Sequence, residues 1–394
     1  GAANLHTLLP QQAVVEGAPR AKNLVILLLE SWPQVRMQDP KVTPNFSALT
    51  QRGVRAQRSY ADGLRTTEGM FSIFCSWQNP LGATVAQSRL QNNRLNCLPK
   101  ILAEAGYKTL FLQGSRKDTS GVGSFAHKLG FARSEGKESI DSFTVPHNSW
   151  GAQDVDIYNY ALEQVAQLQE PFFLALNTNT THDSRLPPGV ERPFTDNRLN
   201  VLHYADSALG TFMGTFEKRF PTQFEQTLFV LVSDHTANLA VGSNLAERFA
   251  IPMTFIASDL APKVVPGIAS QRDVAPSVMS YLQRPSVPNF TGKSLLTDVP
   301  ESFATFYSAG SLVLAKGEQL LRLNVQTGKS RCFSVQNFDL HREHCDRQAT
   351  DELAQLAAFT QMSQTLLFED KMIAPLWRDS EYADFFVSEE SAGE

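Results

Sequence analysis

Residues 23–32 read Asn-Leu-Val-Ile-Leu-Leu-Leu-Glu-Ser-Trp, an unbroken apolar run that stops at a carboxylate, Glu30. A strand with one wet face alternates apolar and polar residues. A run that never alternates has no face to offer water, so it reads as a parallel strand covered by helices on both sides. The run at 24–29 is the longest in the chain, well short of the ~20 residues that cross a bilayer. The fold class that follows is α/β. In such sheets ligands gather beyond the carboxyl ends of the strands. Glu30 is therefore either a site residue or a solvated acid at a strand end.

The chain repeats this pattern. Segments 107–114, 171–177, 227–235 and 251–257 are further strands, and 54–60 can be another. Between them lie helical stretches. One begins at Thr43, as cap, with Pro44 at its first position. Another, 98–105, closes at Gly106, and a third ends at Gly130. Asp154 caps a helix with Ile157, Tyr158, Ala161, Leu162 and Val165 on one face. Asp196 caps a long helix to about 219, and 273–282 forms one more. Residues 22–300 thus form a central, mostly parallel sheet flanked by helices. From about 303 the character changes to short alternating runs at 304–308, 312–315, 320–325 and 330–335, with Gly310, Gly317 and Gly328 at the turns. That is an antiparallel sheet of hairpins, followed by a helix over 351–368. Residues 301–394 are a C-terminal subdomain. Residues 1–21, with Pro10, Gly17 and Pro19, read as a linker, and a start at Gly1 in place of Met suggests a trimmed chain.

The chemistry centres on residues 62–75, Asp-Gly-Leu-Arg-Thr-Thr-Glu-Gly-Met-Phe-Ser-Ile-Phe-Cys. Thr66 stands where a loop enters a helix. It can be a helix cap, or a hydroxyl held at a helix N-terminus, where free N–H groups and the dipole favour a phosphoryl group. Asp234 and His235 end the 227–235 strand, and His182 follows the 171–177 strand in a polar loop. Two carboxylates and an imidazole at strand ends suit one divalent ion, Mn²⁺ or Zn²⁺, with Mg²⁺ a further option. Thr66 as a fourth ligand would be nucleophile and ligand together, because coordination lowers the pKa of a hydroxyl. Arg65 and Lys117 are candidate cations for phosphoryl oxygens, or simply exposed charges.

Composition narrows the partners. The 394 residues carry a net charge of −5 with 19% charged residues, which gives no polybasic signal for nucleic acid. Four cysteines fall into two local pairs, Cys75 with Cys97 and Cys332 with Cys345. Such pairs suit disulfides in an oxidising compartment. The alternative is four free thiols, but the second pair lies in polar sequence, where a buried thiol is out of place. No CxxC spacing points to zinc.

Several runs together resemble the sulfatase-like branch of the alkaline phosphatase superfamily, specifically its lipoteichoic acid synthase and phosphoglycerol transferase group. They are Leu29-Glu30-Ser31, Thr43-Pro44-Asn45, Arg65-Thr66-Thr67, Gly106-Tyr107, Trp150-Gly151, His182 and Ser233-Asp234-His235. The stretch from Thr66 to Cys75, Cys97-Leu98, and the run from Ser233 to Ala237 are similar to periplasmic phosphoglycerol transferases that act on glucans. The resemblance implies one metal ion held by Glu30, Thr66, Asp234 and His235, with His182 binding substrate. It implies transfer of phosphoglycerol from a phospholipid such as phosphatidylglycerol to a glycan or polymer hydroxyl, through a covalent threonine intermediate. It also implies an N-terminal membrane anchor preceding this chain, and a periplasmic or extracytoplasmic location at the inner membrane. Alternatives within the same fold are a phosphoethanolamine transferase, a phosphodiesterase or other hydrolase, and a non-catalytic lipid-sensing member. Sulfatases carry a modifiable Cys or Ser in a Cys-x-Pro-x-Arg context, which Cys75-Ser76-Trp77-Gln78-Asn79 does not supply.

Overall fold

The apolar run forms β1 (Asn23–Leu29), buried along its whole length. Its alternate residues explain why no position after Asn23 is polar. Leu24, Ile26 and Leu28 enter one hydrophobic core, and Val25, Leu27 and Leu29 enter another on the opposite face. The structure is a computed structural model that describes residues 8–10, 15–236, 239, 244–297 and 302–376. Parts of the expected linker (1–7 and 11–14), Ala237, and residues 377–394 of the expected C-terminal subdomain lie outside the described residues.

With β1 come β2 (Val54–Tyr60), β3 (Lys108–Gln113), β4 (Arg133–Glu135), β5 (Phe172–Asn177), β6 (Thr227–Ser233), β7 (Met253–Ile256) and β8 (Lys263–Ser270). They form one sheet in the order β4-β3-β5-β1-β6-β7-β2-β8. Parallel pairing joins β4, β3, β5, β1 and β6, and joins β2 to β8. Strand β7 runs antiparallel to both its neighbours, β6 and β2. The sheet is therefore mostly parallel, as its apolar runs indicate. Register sets the site: Leu28 lies opposite Asn177 and Leu29 opposite Ser233. The residues that follow β1, β5 and β6 consequently emerge together.

The helices are α1 (Pro44–Thr50), α2 (Thr66–Cys75), α3 (Leu98–Glu104), α4 (Val122–Leu129), α5 (Asp154–Gln167), α6 (Asn197–Arg219), α7 (Pro221–Glu225), α8 (Leu245–Arg248), α9 (Val274–Tyr281) and α10 (Arg347–Phe368). Residues of α2, α3, α4 and α9 fill one core, and residues of α1, α5 and α6 fill the other. Two caps differ from expectation. Thr43 holds the cap position of α1, but its hydroxyl makes no cap bond. Instead Asp206 of α6 accepts from the Asn45 and Phe46 N–H groups. Asp154 is the first residue of α5, behind Gln153, and binds a neighbouring loop rather than its own helix. Asp196 caps α6 as expected, accepting from the Arg198 N–H.

The second sheet comprises β9 (Ala304–Ser308), β10 (Ser311–Lys316), β11 (Gln319–Asn324), β12 (Ser330–Gln336) and β13 (Asp339–Glu343), all antiparallel neighbours in chain order. The turn glycines Gly310, Gly317 and Gly328 have φ of 79°, 59° and 70°, where side chains are strained. Helix α10 brings Leu353, Leu356, Phe359 and Met362 into the same core that lies under α2. Both cysteine pairs are disulfides: Cys75–Cys97 ties the end of α2 to the start of α3, and Cys332–Cys345 ties β12 to the entry of α10.

Candidate active site

Glu30 is the first residue beyond β1 and is fully buried. Its N–H donates to Thr178 Oγ1 at 2.9 Å, and its carbonyl accepts from the Thr181 hydroxyl. Ser31 follows with φ of 62°, a left-handed conformation that a residue with a side chain adopts at a cost of about 1–3 kcal/mol. Two bonds hold it there: its N–H donates to Asp234 Oδ1 (3.1 Å), and its hydroxyl to Glu30 Oε1 (3.0 Å). The strained turn locks the end of β1 to the end of β6.

Asp234 and His235 leave β6 beside it. Gln271 clamps this end by donating Nε2–H to the carbonyls of Ser233 (3.0 Å) and Asp234 (2.8 Å), while its own Oε1 accepts from the Asp62 N–H (2.9 Å). Helix α2 then brings Thr66. Thr66 is its first residue, and Arg65 occupies the cap position. The hydroxyl does not cap. Its oxygen lies 2.9 Å from Asp234 Oδ2 and 3.0 Å from Glu30 Oε2, either of which can accept its one proton, and 3.5 Å from His235 Nε2. His235 Nε2 is 3.0 Å from Glu30 Oε1 and 3.4 Å from Asp234 Oδ2. Four potential ligand atoms from three elements thus face one point.

These separations fit a small cation. Ligands on a tetrahedral ion at about 2.1 Å stand roughly 3.4 Å from one another. One ligand atom from each of Glu30, Asp234 and His235 lies within 4.8 Å of the others. The electrostatics agree. Burial opposes ionisation of Glu30, but His235 and His182 beside it outweigh this and hold its carboxyl well below the usual range. Burial and then the Glu30 charge push Asp234 well above its usual range. Burial favours neutral His235, but Asp234 and Glu30 overcome it and raise the imidazole to about 9. A buried group of this composition gathers positive charge.

His182 lies at the rim, its Nδ1 3.3 Å from Glu30 Oε1 and its ring stacked on Trp150 at 4.8 Å. Asp154 accepts from the Asn179 and Thr180 N–H groups and so fixes the loop that carries His182. Arg65 is exposed at the start of α2. Lys117 lies in the loop after β3, its N–H donating to Glu138 and its carbonyl accepting from Gln113. Neither cation makes a hydrogen bond or ion pair with the four clustered residues.

Sequence reasoning missed Asn177. Its Nδ2 lies 3.4 Å from both Glu30 Oε2 and Asp234 Oδ2, so it braces the two carboxylates. The signal was present: Asn177 ends an otherwise apolar strand, as Glu30 and Asp234 do. Gly69 was also passed over, although it lets α2 touch the Asp234 backbone.

The sulfatase family profile matches residues 22–283. Phosphoglycerol transferase I of Escherichia coli (strain K12) is 26% identical over 239 residues, which are 55% of this chain and 31% of that protein. The chain thus spans about a third of the length of the curated relatives it matches. Among solved structures, a protein of the alkaline phosphatase superfamily from Vibrio parahaemolyticus superposes with TM-score 0.82 at 24% identity, covering 92% of each chain. The lipoteichoic acid synthase LtaP from Listeria monocytogenes gives 0.77 at 16% identity, covering 95% of this chain and 99% of that one. At these identities the structural likeness is one of fold.

Proposed function

The chain belongs to the sulfatase family, and from that premise we propose that it transfers phosphoglycerol from a glycerophospholipid such as phosphatidylglycerol to a glycan or polymer hydroxyl. The observation that carries this reading is the position of Thr66 Oγ1, 2.9 Å from Asp234, 3.0 Å from Glu30 and 3.5 Å from His235. The similarity to the Escherichia coli phosphoglycerol transferase I supports the same group transfer.

Glu30, Asp234, His235 and Thr66 would hold one divalent ion, Mn²⁺ or Zn²⁺ or else Mg²⁺. Such an ion, when bound, supplies positive charge that favours the threonine alkoxide and offsets charge on the phosphoryl oxygens. The protein residues do the rest. Thr66 Oγ1 stands 2.9 Å from Asp234 Oδ2 and 3.0 Å from Glu30 Oε2, so its proton has a carboxylate acceptor within reach. The Oγ1–P bond forms as the P–O bond to diacylglycerol breaks, and diacylglycerol leaves with a proton from water. The acceptor oxygen then bonds to phosphorus as its hydroxyl proton passes to the hydroxide that water left behind, the Oγ1–P bond breaks, and Thr66 Oγ1 takes back the proton held on the carboxylate. The covalent phosphodiester sits at the N-terminus of α2, where the helix dipole favours anions. His182, on its Trp150 platform, and Arg65 would meet the substrate's phosphoryl oxygens, with Lys117 farther along the same edge.

Sulfate-ester hydrolysis through a modified cysteine has no residue to use, since Cys75 is in a disulfide at the far end of α2. The two disulfides support a periplasmic or other extracytoplasmic location. Among the described residues no helix is long and apolar enough to cross a membrane. The test is incubation with phosphatidylglycerol vesicles and Mn²⁺, followed by peptide mass spectrometry. A phosphoglycerol adduct on Thr66, and loss of turnover in Thr66→Ala, are expected. Turnover retained in Thr66→Ala would overturn the proposal.

A further inference from the structure

The pairing of β11 with β12 sets Arg322 directly opposite Arg331. Like charges at facing positions destabilise a sheet, because the two side chains stand side by side on one face. Phe333 lies two residues beyond Arg331, on the same face, and is opposite Arg342 of β13. Three guanidinium groups from three adjacent strands therefore share one face. The acids of β13, Asp339 and Glu343, alternate to the other face. Five arginines elsewhere, Arg20, Arg36, Arg94, Arg133 and Arg198, each stand against a carboxylate. Among the described residues Arg322, Arg331 and Arg342 form no ion pair, and Arg322 Nε is buried with no hydrogen-bond partner. Burial, and then the Arg331 charge, hold the Arg322 guanidinium below its usual range.

The same hairpin carries apolar surface at its tip. Val325, which follows β11, is 44% exposed, and Phe368, at the end of α10, is 40% exposed. Both line a groove of about 390 Å³ that Leu81, Leu312, Leu323 and Ala357 continue. Lys329, in the same turn, is exposed. The acids at this end, Glu369 and Asp370, are engaged with Lys371 (3.1 Å) and Arg94 (3.5 Å). The chain as a whole has a net charge of −5, so this local excess of cations stands against the overall balance. Unpaired cations beside exposed apolar side chains suit an interface with an anionic lipid surface. The arginines are spread over three strands, each about 4.8 Å from the next, so their complement is an extended anionic surface rather than one small anion.

We propose that the β11–β12 hairpin and the end of α10 form a docking surface for a bilayer rich in anionic phospholipid, with Val325 and Phe368 entering the interface and Arg322, Arg331 and Arg342 meeting the headgroup phosphates. The surface belongs to the C-terminal subdomain and uses none of the residues clustered around Thr66. It is separate from any N-terminal anchor, and it stands whether or not phosphoglycerol is transferred. The facing arginines repel each other in the free protein, and phosphates lying between them relieve that repulsion.

The test is flotation of the full chain with vesicles of phosphatidylglycerol and phosphatidylcholine, against vesicles of phosphatidylcholine alone. Binding to the anionic vesicles is expected, weakening as salt rises. Each of Arg322→Ser, Arg331→Ser and Arg342→Ser should weaken it about fivefold, and the triple variant on the order of 100-fold. Arg331→Ser should also hold or raise Tm, so that lost binding is told apart from lost folding. All four cysteines are in disulfides, so Val325→Cys offers one thiol for an environment-sensitive dye. Its emission should shift to the blue on anionic vesicles, whereas the dye at Val264→Cys, an exposed position on β8, should not respond. Release of diacylglycerol from short-chain phosphatidylglycerol, dispersed as monomers, should be unchanged in the triple variant. Equal binding by the triple variant or to neutral vesicles, or equal shifts at 325 and 264, would overturn the proposal. So would a blue shift at 325 that needs only a higher protein concentration, which would give the surface to a second copy of this chain. Displacement of the vesicles by soluble glycerophosphoglycerol would likewise overturn it and give the arginines to a free phosphodiester. Absence of turnover on the dispersed lipid, with vesicle binding intact, would support the docking surface and count against phosphoglycerol transfer alone.

Discussion

A methyl group at Gly69 would separate activity from stability. Its Cβ would lie 2.6 Å from the carbonyl oxygen of Asp234 and 2.9 Å from the Asp234 Cα, where ordinary contact begins near 3.4 Å. Both are backbone atoms, and Gln271 pins that carbonyl at 2.8 Å, so β6 cannot give way. Helix α2 must withdraw by about 3.4 − 2.6 = 0.8 Å. Thr66 stands one turn earlier on the same helix and moves with it, away from Asp234 and Glu30. Misplacing a reacting group by ~1 Å costs on the order of 100-fold in rate. The stability effect is smaller, because the crowding costs ~1–3 kcal/mol while alanine gains ~1 kcal/mol of helix propensity. Gly69→Ala should therefore fold with a loss of about 0–2 kcal/mol in urea titration, yet release diacylglycerol from phosphatidylglycerol roughly 100-fold more slowly. Gly214→Ala is the control. Gly214 is exposed on α6 with nothing within 4 Å of its Cβ, so alanine there should add about 1 kcal/mol and leave turnover unchanged. If Gly69→Ala keeps turnover within a few-fold of wild type, the contact between α2 and Asp234 does not position Thr66 and the reasoning fails.

Four further outcomes are expected. Asn177→Ala should lower turnover about tenfold at saturating Mn²⁺, since each long bond from its amide to a charged group contributes ~1–2 kcal/mol, and Asn177→Asp should lower it further by adding a charge to the cluster; steady-state kinetics checks both. Burial raises the Asp154 carboxyl to about 6 from 3.8, so its contribution to stability is fully present below pH 3.8 and is lost as pH rises through about 6. The 2.2-unit difference (6 − 3.8) is worth about 3 kcal/mol, so urea midpoints at pH 4 and pH 7 should show Asp154→Asn gaining on the wild type by up to that amount. Replacing Cys75 and Cys97 by alanine opens a loop of separation 22 and should cost about 3 kcal/mol, read as a lower Tm. Chelation should abolish transfer and Mn²⁺ restore it, with elemental analysis finding about one ion per chain.

How much could be read in advance varied with the kind of interaction. The strand β1 was legible because burial on two faces leaves a mark at every position. Glu30, Asp234 and His235 were legible as polar residues where apolar runs stop, and Asp196 as a cap, because a cap acts within a few residues. Strands at the sheet edges left no such mark. Strand β4 is Arg-Ser-Glu, β8 contains Pro266 and Gly267 and is buried only at its last three residues, and β13 is Asp-Leu-His-Arg-Glu, so their pairing leaves little periodic pattern in the side chains. The direction of β7 was hidden as well, since a buried apolar strand looks the same whichever way it runs.

The role of Thr66 shows where the division falls. From its neighbours alone it could have been a helix cap, and so could Thr43 and Asp154; in the fold none of the three caps its own helix through its side chain. Side-chain chemistry and periodicity are local, so the chain itself determined which residues could serve and that they would stand at strand ends. Only pairing across the sheet, Leu28 with Asn177 and Leu29 with Ser233, and the close seat of Gly69 on Asp234, brought Glu30, Thr66, Asn177, Asp234 and His235 together. Those contacts join residues up to about two hundred positions apart, and no local pattern records them.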